Sequence, residues 1–477
     1  MSSILSYFAS WIFFVLYICL NRVIQVVNMT DKLTIIILAA GNGTRMKSTI
    51  SKVCHHIGGK PMLQYVLETA KSLQPTHTVT VVSNSADDVR SVITDFDNTI
   101  EIAIQEKQLG TAHAVLSAKN NFHDNHLLVM FGDTPLVKTD TLQNILSKKD
   151  HADIIVLGLR PDYPNKYGRI ITNGEIVTSI VEYADANDEE KATTLCNSGI
   201  MLISPKAGKL IEKIDSSNKS KEFYLTDLIA LANQNGLKVI AMEGPTEEFH
   251  GINNRADLAM AEYIMQTNWR EHALLNGATL IDPNTTYFSH NTVIGQDVTI
   301  SPNVVFGPNV VIEDNVTILP FCRIENAVIK KGARVGPFAH IRPGTVIEQN
   351  CHIGNFVEIK NTLMKAGAKA NHLTYLGDSE VGERTNIGAG TITCNYDGYN
   401  KNHTKIGDDV FVGSNTCIIA PVEIGNSAVI GAGSIITKRV LPDSLAYSRS
   451  PQENLLGAAT RYRKKRSKLK VLNETKE

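Results

Sequence analysis

A glycine-rich turn that follows an apolar run is the first group of residues suited to chemistry. The segment TIIILAAGNGTRM, residues 34–46, places Gly41 and Gly43 after a run of aliphatic residues and includes Arg45. Glycines at such a turn let backbone N–H groups approach phosphate oxygens, and an arginine can neutralise their charge. The turn lacks the ending of a Walker loop and the pattern GxGxxG of a dinucleotide fold. Taken alone, it is equally consistent with a phosphate site and a structural bend.

Three further segments add groups that suit a nucleotide and a metal ion. Lys52 supplies a second cation, and QEKQLGTAH, residues 105–113, offers amide and backbone groups suited to reading a base edge. Asp133 follows the apolar run 127–132, and open α/β sheets bind ligands at the carboxyl ends of their strands. A carboxylate there can hold Mg²⁺, which prefers oxygen ligands and often bridges substrate phosphates. A lone aspartate would more often cap a turn, so the prediction depends on the whole set.

In the C-terminal half, His372 is the candidate for proton transfer. It lies in a polar stretch beside Tyr375 and is distant in sequence from any cysteine or second histidine that would suggest a metal site. A histidine suits general-base catalysis near neutral pH, such as deprotonation of an amine that attacks a thioester. A lone histidine is most often structural, but the surrounding polar string favours the catalytic interpretation.

The elements that must position the first group are predicted by an alternation of short apolar runs with amphipathic segments. The alternation extends from residue 33 to about residue 250, and it predicts βαβ units with a parallel sheet covered by helices. The segment 255–275 contains good helix formers without glycine or proline and stops before Gly277, which predicts a connecting helix.

The elements that must position His372 are predicted by a period of six residues after residue 290. Helices cannot produce this period, and a sustained hexad is typical of a β-helix whose coils each contain three short strands. The pattern breaks between Asn361 and Lys405, and we interpret this polar stretch as a loop region leaving the solenoid. The hexad positions are Ile294, Ile300, Phe306, Ile312, Ile318 and Ile324, then Val335, Ile341, Ile347, Ile353 and Ile359, then Ile406, Val412, Ile418, Ile424, Ile430 and Ile436.

Composition limits the class of protein further. A net charge of −1 over 477 residues argues against a broad nucleic-acid-binding surface, so no nucleic-acid partner is expected. Seven dispersed cysteines without a CxxC pair favour the reducing cytoplasm.

The two ends of the chain differ in character from the rest. The run 4–20 is apolar and uncharged, so the extension 1–28 is either an unused start or a membrane anchor, and only an anchor would give contact with the inner membrane. The basic run 461–470 is interpreted as a solvated, disordered end, with contact to polyanionic phosphates or lipid as alternatives.

Both halves resemble the bifunctional enzymes of bacteria that synthesise UDP-N-acetylglucosamine. The segment LAAGNGTRM, residues 38–46, resembles the nucleotide loop of the N-acetylglucosamine-1-phosphate uridylyltransferase domain. Residues 290 to 450 resemble the glucosamine-1-phosphate N-acetyltransferase domain nearly without gaps, including NFVEIK at 355–360 and NHLTYLGD at 371–378. The resemblance implies a Rossmann-like α/β domain, a connecting helix and a left-handed parallel β-helix of hexapeptide repeats. It also implies a homotrimer with sites between subunits.

For the first half the resemblance implies a set of nucleotide, sugar and metal ligands. Asp133 and Asn253 would hold Mg²⁺, and UTP would be the nucleotide. The residues implied for nucleotide and phosphate are Leu38, Ala39, Ala40, Gly41, Arg45, Lys52, Gln105, Gly110, Thr111, Phe131, Gly132 and Asp133. Those implied for the N-acetylglucosamine moiety are Gly168, Glu182 and Asn197.

For the second half it implies His372 as the general base. Arg342 and Lys360 would bind the phosphate of glucosamine-1-phosphate, and Tyr375 and Asn386 would orient its sugar. Glu358 would orient the substrate or the histidine. The residues implied for acetyl-CoA are Ala389, Asn395, Tyr396, Ser414, Ala432 and Arg449. Cys394 and Cys417 are interpreted as packing residues.

Three residues depart from the family pattern. Asn42 replaces a common lysine and Ser51 a usual proline, so both could soften phosphate affinity, while Asn371 replaces a common glycine before the histidine. The domain organisation expected is an extension at 1–28, uridylyltransferase at 29–255, linker helix at 256–277, acetyltransferase at 278–455 and basic tail at 456–477. Two alternatives remain open: a nucleotidyltransferase whose β-helix serves only assembly, and a non-catalytic binding protein.

Overall fold

The computed structural model describes residues 32–162, 165–218 and 220–474. The chain divides into two compact units between Trp269 and Arg270. The extension predicted over residues 1–28 lies outside the described residues. In the described part of the chain, no helix combines the length and the apolar character that crossing a bilayer requires.

A nine-stranded sheet, counted over the described residues, forms the centre of the N-terminal unit. The strands of this unit are β1 (Leu33–Leu38), β2 (His56–Ile57), β3 (Lys60–Pro61), β4 (His77–Ser83), β5 (Glu101–Gln105), β6 (His126–Phe131), β7 (Ile154–Leu159), β8 (Arg169–Asn173), β9 (Ile176–Val181), β10 (Cys196–Ile203) and β11 (Val239–Glu243). Their order in the sheet is β5-β4-β1-β6-β10-β7-β11-β9-β8, while β2 and β3 pair separately. Strands β5, β4, β1 and β6 are parallel, as predicted.

The prediction of a wholly parallel sheet was wrong for the second half of this unit. Strand β10 runs antiparallel to β6 and β7, and β8 and β9 form an antiparallel hairpin. The hairpin turns at Gly174, whose φ of 62° is readily adopted by glycine. The sequence Asn173-Gly174 is a hairpin signal, and it distinguishes this connection from a helical crossover.

Helices cover both faces of the sheet. Alternate residues of β1 enter different cores, with Ile35 and Ile37 on one face and Ile36 and Leu38 on the other. A central strand buried on both faces explains why β1 is a continuous aliphatic run. The helices of the chain are α1 (Met62–Ser72), α2 (Asp87–Phe96), α3 (Thr111–Ser117), α4 (Thr139–Leu146), α5 (Asp188–Ala192), α6 (Pro205–Gly208), α7 (Leu228–Gln234), α8 (Arg255–Leu275) and α9 (Ala458–Glu474).

The C-terminal unit is a left-handed parallel β-helix. Most strands pair in parallel with the strand three positions later, so three strands make one coil, and the long strands β24 and β25 each pair with several strands. The strands are β12 (Thr279–Leu280), β13 (Thr286–Tyr287), β14 (Val293–Ile294), β15 (Thr299–Ile300), β16 (Val304–Phe306), β17 (Val310–Ile312), β18 (Thr317–Ile318), β19 (Arg323–Ile324), β20 (Ala327–Ile329), β21 (Arg334–Val335), β22 (His340–Ile341), β23 (Thr345–Ile347), β24 (His352–Met364), β25 (Lys369–Val381), β26 (Asn386–Ile387), β27 (Ile392–Cys394), β28 (Thr404–Ile406), β29 (Phe411–Val412), β30 (Cys417–Ile419), β31 (Val422–Ile424), β32 (Val429–Ile430), β33 (Ile435–Ile436) and β34 (Leu445–Ala446).

The interpretation of residues 361–405 as a loop region was wrong. Strands β24 to β27 continue the solenoid as far as Cys394, and His372 and Tyr375 belong to β25. The hexad is hidden because the interior positions Ile359, Met364 and Ala370 are spaced by five and then six residues. Alanine and threonine also replace aliphatic residues inside these coils, as at Thr393, which is fully buried. The segment between β27 and β28, residues 395–403, is the part that leaves the coil.

The basic tail forms a helix, which contradicts the expectation of disorder. Helix α9 covers Ala458–Glu474, and residues 458–469 of it are mostly exposed, in agreement with the expected solvation. Alanine, arginine, lysine and leucine are good helix formers, and the segment contains no glycine or proline. Composition rich in charge therefore did not exclude local helical structure here.

Candidate active sites

A cavity of about 480 Å³ opens at the carboxyl ends of β5, β1 and β6. This is the edge at which open α/β sheets bind ligands. Ten of the nucleotide-site residues predicted from the sequence line it, and they are Leu38, Ala39, Ala40, Gly41, Lys52, Gln105, Gly110, Thr111, Phe131 and Asp133. Asn42, Val53, Gln108, Ala114 and Glu222 complete the lining. Gly132 directly precedes Asp133, and its backbone N–H donates to the carbonyl oxygen of Leu38 at 2.9 Å.

Two cations and two oxygen ligands meet at one side of this cavity. Lys52 Nζ contacts Asp133 Oδ2 and lies 3.4 Å from Asn253 Oδ1. Arg45 Nη2 donates to the same Asn253 oxygen at 2.9 Å. The structure therefore brings together the two cations and the two metal ligands that the sequence predicted for this site, which are Arg45, Lys52, Asp133 and Asn253. Asp257, which sequence reasoning missed, fixes this loop by accepting from the backbone N–H of Asn253 at 2.8 Å.

The predicted base-reading segment is held by its own hydrogen bonds. Gln105 is buried, and its Nε2 donates to the carbonyl oxygen of Gly110 at 3.2 Å. Gly110 has φ of 125°, and a Cβ there would lie 2.4 Å from the carbonyl oxygen of Phe223. Only glycine fits this backbone and this contact. Gln108 was missed although it lies in the same motif, and its Nε2 donates to the carbonyl oxygen of Ala40.

The residues implied for the sugar lie beside a second cavity of about 370 Å³. Glu182 lines this cavity and accepts from Thr226 Oγ1 at 3.2 Å. Burial raises the pKa of the Glu182 carboxyl. A Cβ at Gly168 would approach Glu182 Oε2 to 3.4 Å, and the backbone N–H of Asn197 donates to the Gly168 carbonyl oxygen at 2.8 Å. The structure thus makes the three predicted residues neighbours.

The departure at Ser51 has a local explanation. The Ser51 backbone N–H and Oγ both donate to the carboxylate of Asp88, at 2.8 Å and 2.7 Å. Asp88 lies at the N-terminus of α2, and Ser51 directly precedes Lys52. A proline at residue 51 would have no N–H to donate. Two hydrogen bonds to α2 therefore hold the chain at the position where proline is usual in the family pattern.

One corner of the β-helix carries His372 and most residues implied for acetyl-CoA. Strand pairing places His372 beside Asn355 in the preceding coil. Backbone hydrogen bonds link the following coils at the same corner. The N–H of Gly390 donates to the carbonyl oxygen of Leu373, and the N–H of Asn415 donates to that of Ala389. In the next coil, the N–H of Gly433 donates to the carbonyl oxygen of Ser414. Arg449 Nη1 donates to the carbonyl oxygen of Ala432 at 2.6 Å. The residues Asn355, His372, Ala389, Ser414 and Ala432 therefore form one column, which we call the His372 column.

The residues implied for the sugar phosphate, Arg342 and Lys360, lie where β22 pairs with β24. Arg342 Nη1 forms an ion pair with Glu358 Oε1 at 2.7 Å, so Glu358 contacts Arg342 while His372 contacts Asn355. The side chain of Lys401, followed by burial, lowers the pKa of Lys360. Lys401 comes from the segment 395–403 and was missed by sequence reasoning, although loops that leave a rigid solenoid are where binding residues are expected.

Of the remaining implied residues, Asn395 and Tyr396 begin this segment, and Tyr375 and Asn386 lie on strands that precede it. Asn395 is buried, and its Nδ2 donates to Asp378 Oδ2. Tyr396 is exposed, and its hydroxyl donates to the carbonyl oxygen of Gly398 at 2.6 Å. Asn386 pairs with Lys369 of β25, whereas Tyr375 pairs with Ile392 of β27. Asn386 and Tyr375 therefore occupy different faces of the solenoid.

Three known families match parts of the chain. Residues 35–189 match the MobA-like NTP transferase domain. Residues 291–326 and 326–361 match the bacterial transferase hexapeptide of six repeats, and residues 403–438 match the hexapeptide repeat of succinyl-transferase.

Similar proteins extend over nearly the whole chain. The bifunctional protein GlmU of Paramagnetospirillum magneticum is 47% identical over 441 residues, which cover 91% of this chain and 97% of the relative. The proteins of the same name from Zymomonas mobilis and a Ruegeria species are each 45% identical. These two alignments cover 91% and 89% of this chain and 98% and 95% of the relatives.

A nucleotidyltransferase domain followed by a β-helix of transferase hexapeptides defines a transferase with two active domains. The alignments with these relatives cover both halves of the chain. The chain belongs to the bifunctional GlmU family. It is an enzyme that combines nucleotidyltransferase and acyltransferase activities.

Proposed function

We propose that the two sites described above carry out the two reactions of this family. The C-terminal domain acetylates glucosamine-1-phosphate from acetyl-CoA, and the N-terminal domain transfers UMP from UTP to the resulting N-acetylglucosamine-1-phosphate. The products are pyrophosphate and UDP-N-acetylglucosamine, a precursor of cell wall and lipopolysaccharide. The observation that carries this proposal is the presence, in separate units of one chain, of a cation-rich cavity around Lys52 and an exposed histidine on a hexapeptide solenoid.

Asp133 and Asn253 fit the requirements of a magnesium site. Oxygen atoms of both side chains approach one cation, the ammonium of Lys52. Carboxylate and amide oxygens are ligands that suit Mg²⁺, and the remaining positions are commonly filled by water and substrate phosphates. When bound there, Mg²⁺ would neutralise charge on the polyphosphate.

In the N-terminal domain, a phosphate oxygen of N-acetylglucosamine-1-phosphate attacks the α-phosphorus of UTP. The bond from this phosphorus to the bridging oxygen breaks, and pyrophosphate leaves with the electron pair. Catalysis of this kind depends on positioning and charge neutralisation rather than on a nucleophilic side chain. Arg45 and Lys52 supply the positive charge, while Gln105 and Gly110 hold the base.

In the C-terminal domain, the amine of glucosamine-1-phosphate attacks the thioester carbonyl carbon of acetyl-CoA. The C–N bond forms, the C–S bond breaks and the CoA thiolate leaves. His372 accepts the proton released by the amine. Arg342, Lys360 and Lys401 supply positive charge for the sugar phosphate, and the His372 column presents acetyl-CoA.

The positions of Tyr375 and Asn386 support an oligomer in which copies share an acetyltransferase site. These residues lie on different faces of one solenoid, although both are implied for the same small sugar. Two copies packed side by side can present one face each to a single substrate. A closed ring of three such copies is the homotrimer that we propose.

An exposed apolar column supports the same arrangement. Phe321, Phe338 and Phe356 stack with ring centroids 4.9 Å and 5.2 Å apart, and Leu373 follows them in the next coil. All four side chains are exposed in the single chain. Exposed apolar patches of this kind mark interaction surfaces. We call these residues the Phe column.

The proposal is tested by following both products in the variants Asp133→Ala and His372→Ala. With glucosamine-1-phosphate, acetyl-CoA, UTP and Mg²⁺, Asp133→Ala accumulates N-acetylglucosamine-1-phosphate. His372→Ala lowers acetylation by about 100-fold to 10,000-fold, the range for loss of a general base. The same variant transfers UMP normally when N-acetylglucosamine-1-phosphate is supplied.

Each variant therefore serves as the folding control for the other domain. Acetyl transfer at the wild-type rate in His372→Ala, or UMP transfer at the wild-type rate in Asp133→Ala, would contradict the proposal. A protein with only the nucleotidyltransferase activity would release no thiol from acetyl-CoA in the presence of glucosamine-1-phosphate.

A cytoplasmic location is the setting that suits these reactions. Both proposed reactions, acetyl transfer and UMP transfer, use phosphorylated substrates. The described cysteines, among them Cys54 and Cys196, are free thiols, which suits a reducing compartment.

A further inference from the structure

The side chain that contacts the imidazole of His372 is Asn355. His372 Nδ1 lies 2.8 Å from Asn355 Oδ1, and strand pairing places the two residues directly beside each other in successive coils. Both residues also line a cavity of about 460 Å³ on the same corner. This contact lies outside the set of residues that the family pattern suggested.

We infer that Asn355 is a positioning residue that selects the productive tautomer of His372 for acetyl transfer. An amide oxygen accepts hydrogen bonds but cannot donate one. The ring nitrogen Nδ1 must therefore carry its proton, which leaves the lone pair on Nε2. Nε2 is then the atom that receives the proton of the attacking amine. This inference rests on the proposed role of His372 as the base.

Close packing fixes the backbone around Asn355, and this restricts where the Asn355 side chain can lie relative to His372. A Cβ on the preceding Gly354 would lie 1.8 Å from the carbonyl oxygen of Asn371, so this position requires glycine. The following Phe356 has φ of 56° and stacks on Phe338. Asn355 is thus held between two constrained residues on the turn.

The other charged groups near this corner do not compete for Nδ1. Glu358 is paired with Arg342 at 2.7 Å. His352 and Arg334 line the same cavity as His372. Burial, followed by the charges of Arg334, Lys369 and His372, lowers the pKa of His352. Arg334 and Lys369 are donors only, so they provide no acceptor for Nδ1–H.

A neutral acceptor has a different consequence from a carboxylate. A carboxylate on Nδ1 would stabilise the imidazolium and shift the acid limb of the pH–rate profile to higher pH. An amide fixes the tautomer with a smaller effect on charge. The pair therefore suits a base that must be neutral before each turnover.

The inference is tested with Asn355→Ala, Asn355→Asp and the double variant Asn355→Ala/His372→Ala in the full-length enzyme. Asn355→Ala is expected to lower kcat for acetyl transfer by about 10-fold to 100-fold, part of what a general base supplies, with KM nearly unchanged. Asn355→Asp keeps an acceptor, so it recovers activity at high pH, and its acid limb moves to higher pH. Adding Asn355→Ala to His372→Ala causes no further loss, because an orienting residue has no effect without its base.

Matched controls separate positioning from folding. Asn291→Ala removes another asparagine that bonds to a neighbouring coil, since Asn291 Oδ1 accepts from the backbone N–H of Asn309 at 2.8 Å. This variant should keep the wild-type pH profile, and UMP transfer should be unchanged in every variant. If Asn355→Ala kept the wild-type kcat while His372→Ala was inactive, the positioning role of Asn355 would be overturned and the proposed function would stand. Acetyl transfer at the wild-type rate in His372→Ala would instead overturn the proposed function. An additive loss in the double variant would also overturn the positioning role.

Discussion

At the scale of single residues, Glu182 combines a proposed role in sugar binding with unfavourable burial of its carboxylate. Its carboxyl lies in a cavity with Thr226, and burial raises its pKa. The folded protein therefore holds this proton more tightly than the unfolded chain does. The stability that this group contributes is fully present below the unfolded pKa, about 4.3. It is lost as the pH rises through the raised folded pKa.

Glu182→Gln should consequently stabilise the N-terminal domain at neutral pH while weakening sugar binding. Glutamine stays neutral, so Tm at pH 7 is expected to rise by about 2–4 °C, equivalent to about 1 kcal/mol in a domain of this size. At pH 4 the variant and the wild type should unfold together. KM for N-acetylglucosamine-1-phosphate should increase at pH 7. Scanning calorimetry and steady-state kinetics measure the two effects.

Glu175→Gln is the matched control, because Glu175 is exposed on the hairpin that also carries Glu182. It should change neither Tm nor KM. A lower Tm for Glu182→Gln at pH 7, or an equal gain at pH 4, would show that burial of the charge does not govern this site.

At the scale of elements, the segment 395–403 is the part of the β-helix that places a second cation, Lys401, beside Lys360. Lys401 lies on this segment, and its side chain lowers the pKa of Lys360. Two lysines this close repel each other until an anion lies between them. A phosphate group would relieve this repulsion, which is why we assign Lys401 to the sugar-phosphate site.

Lys401→Ala is expected to raise KM for glucosamine-1-phosphate by about tenfold, which corresponds to about 1.4 kcal/mol. The value of kcat should change little, because the lysine does not touch the reacting amine. Lys438→Ala, an exposed lysine elsewhere on the solenoid, is the control for loss of general positive charge. An equal effect of the two substitutions on KM would contradict a specific phosphate contact.

The elements also show where the sequence was informative. The strand that ends at Leu38 and the hexads from Ile294 to Ile359 were predictable, because continuous burial and a repeated turn each leave a strict period. The coils around His372 were not, because five-residue steps and buried threonines such as Thr393 conceal the same period. The antiparallel direction of β10 was also missed, because the hydrophobic pattern of a strand buried on both faces does not depend on the direction of the strand.

At the scale of the whole molecule, the Phe column is the surface with the clearest consequence for assembly. Phe338 lies at its centre, between Phe321 and Phe356. Phe338→Asp places a charge within this apolar stack. It should raise the dissociation constant of the oligomer by about 30-fold or more, as for loss of a hot spot worth about 2 kcal/mol.

Light scattering over a range of protein concentrations measures this change. Acetyl transfer should fall together with the oligomer, because the proposed site uses faces from two copies, whereas UMP transfer should persist. Leu441→Asp, at an exposed apolar residue outside the column, should leave assembly intact. Full acetyl transfer by a monomeric Phe338→Asp variant would refute the shared site.

Long-range contacts marked the limit of prediction for the whole chain. Motifs close in sequence identified Lys52, Asp133 and His372 as candidates. The contacts that refine them join distant residues, as in Asp88 with Ser51 and Lys401 with Lys360. Such partners depend on the register of strands and loops, and this register is set by packing throughout each unit.

The regular stacking of coils sets a fixed distance along the His372 column. Successive strands in a sheet lie about 4.8 Å apart, so the four steps from His372 to the coil of Arg449 span about 19 Å. A cofactor anchored by its anionic end at Arg449 can deliver a reactive carbonyl to His372 only if its flexible arm has about this length. Selection among acyl carriers in this enzyme would then be a matter of reach, set by the number of coils between the anchor and the base.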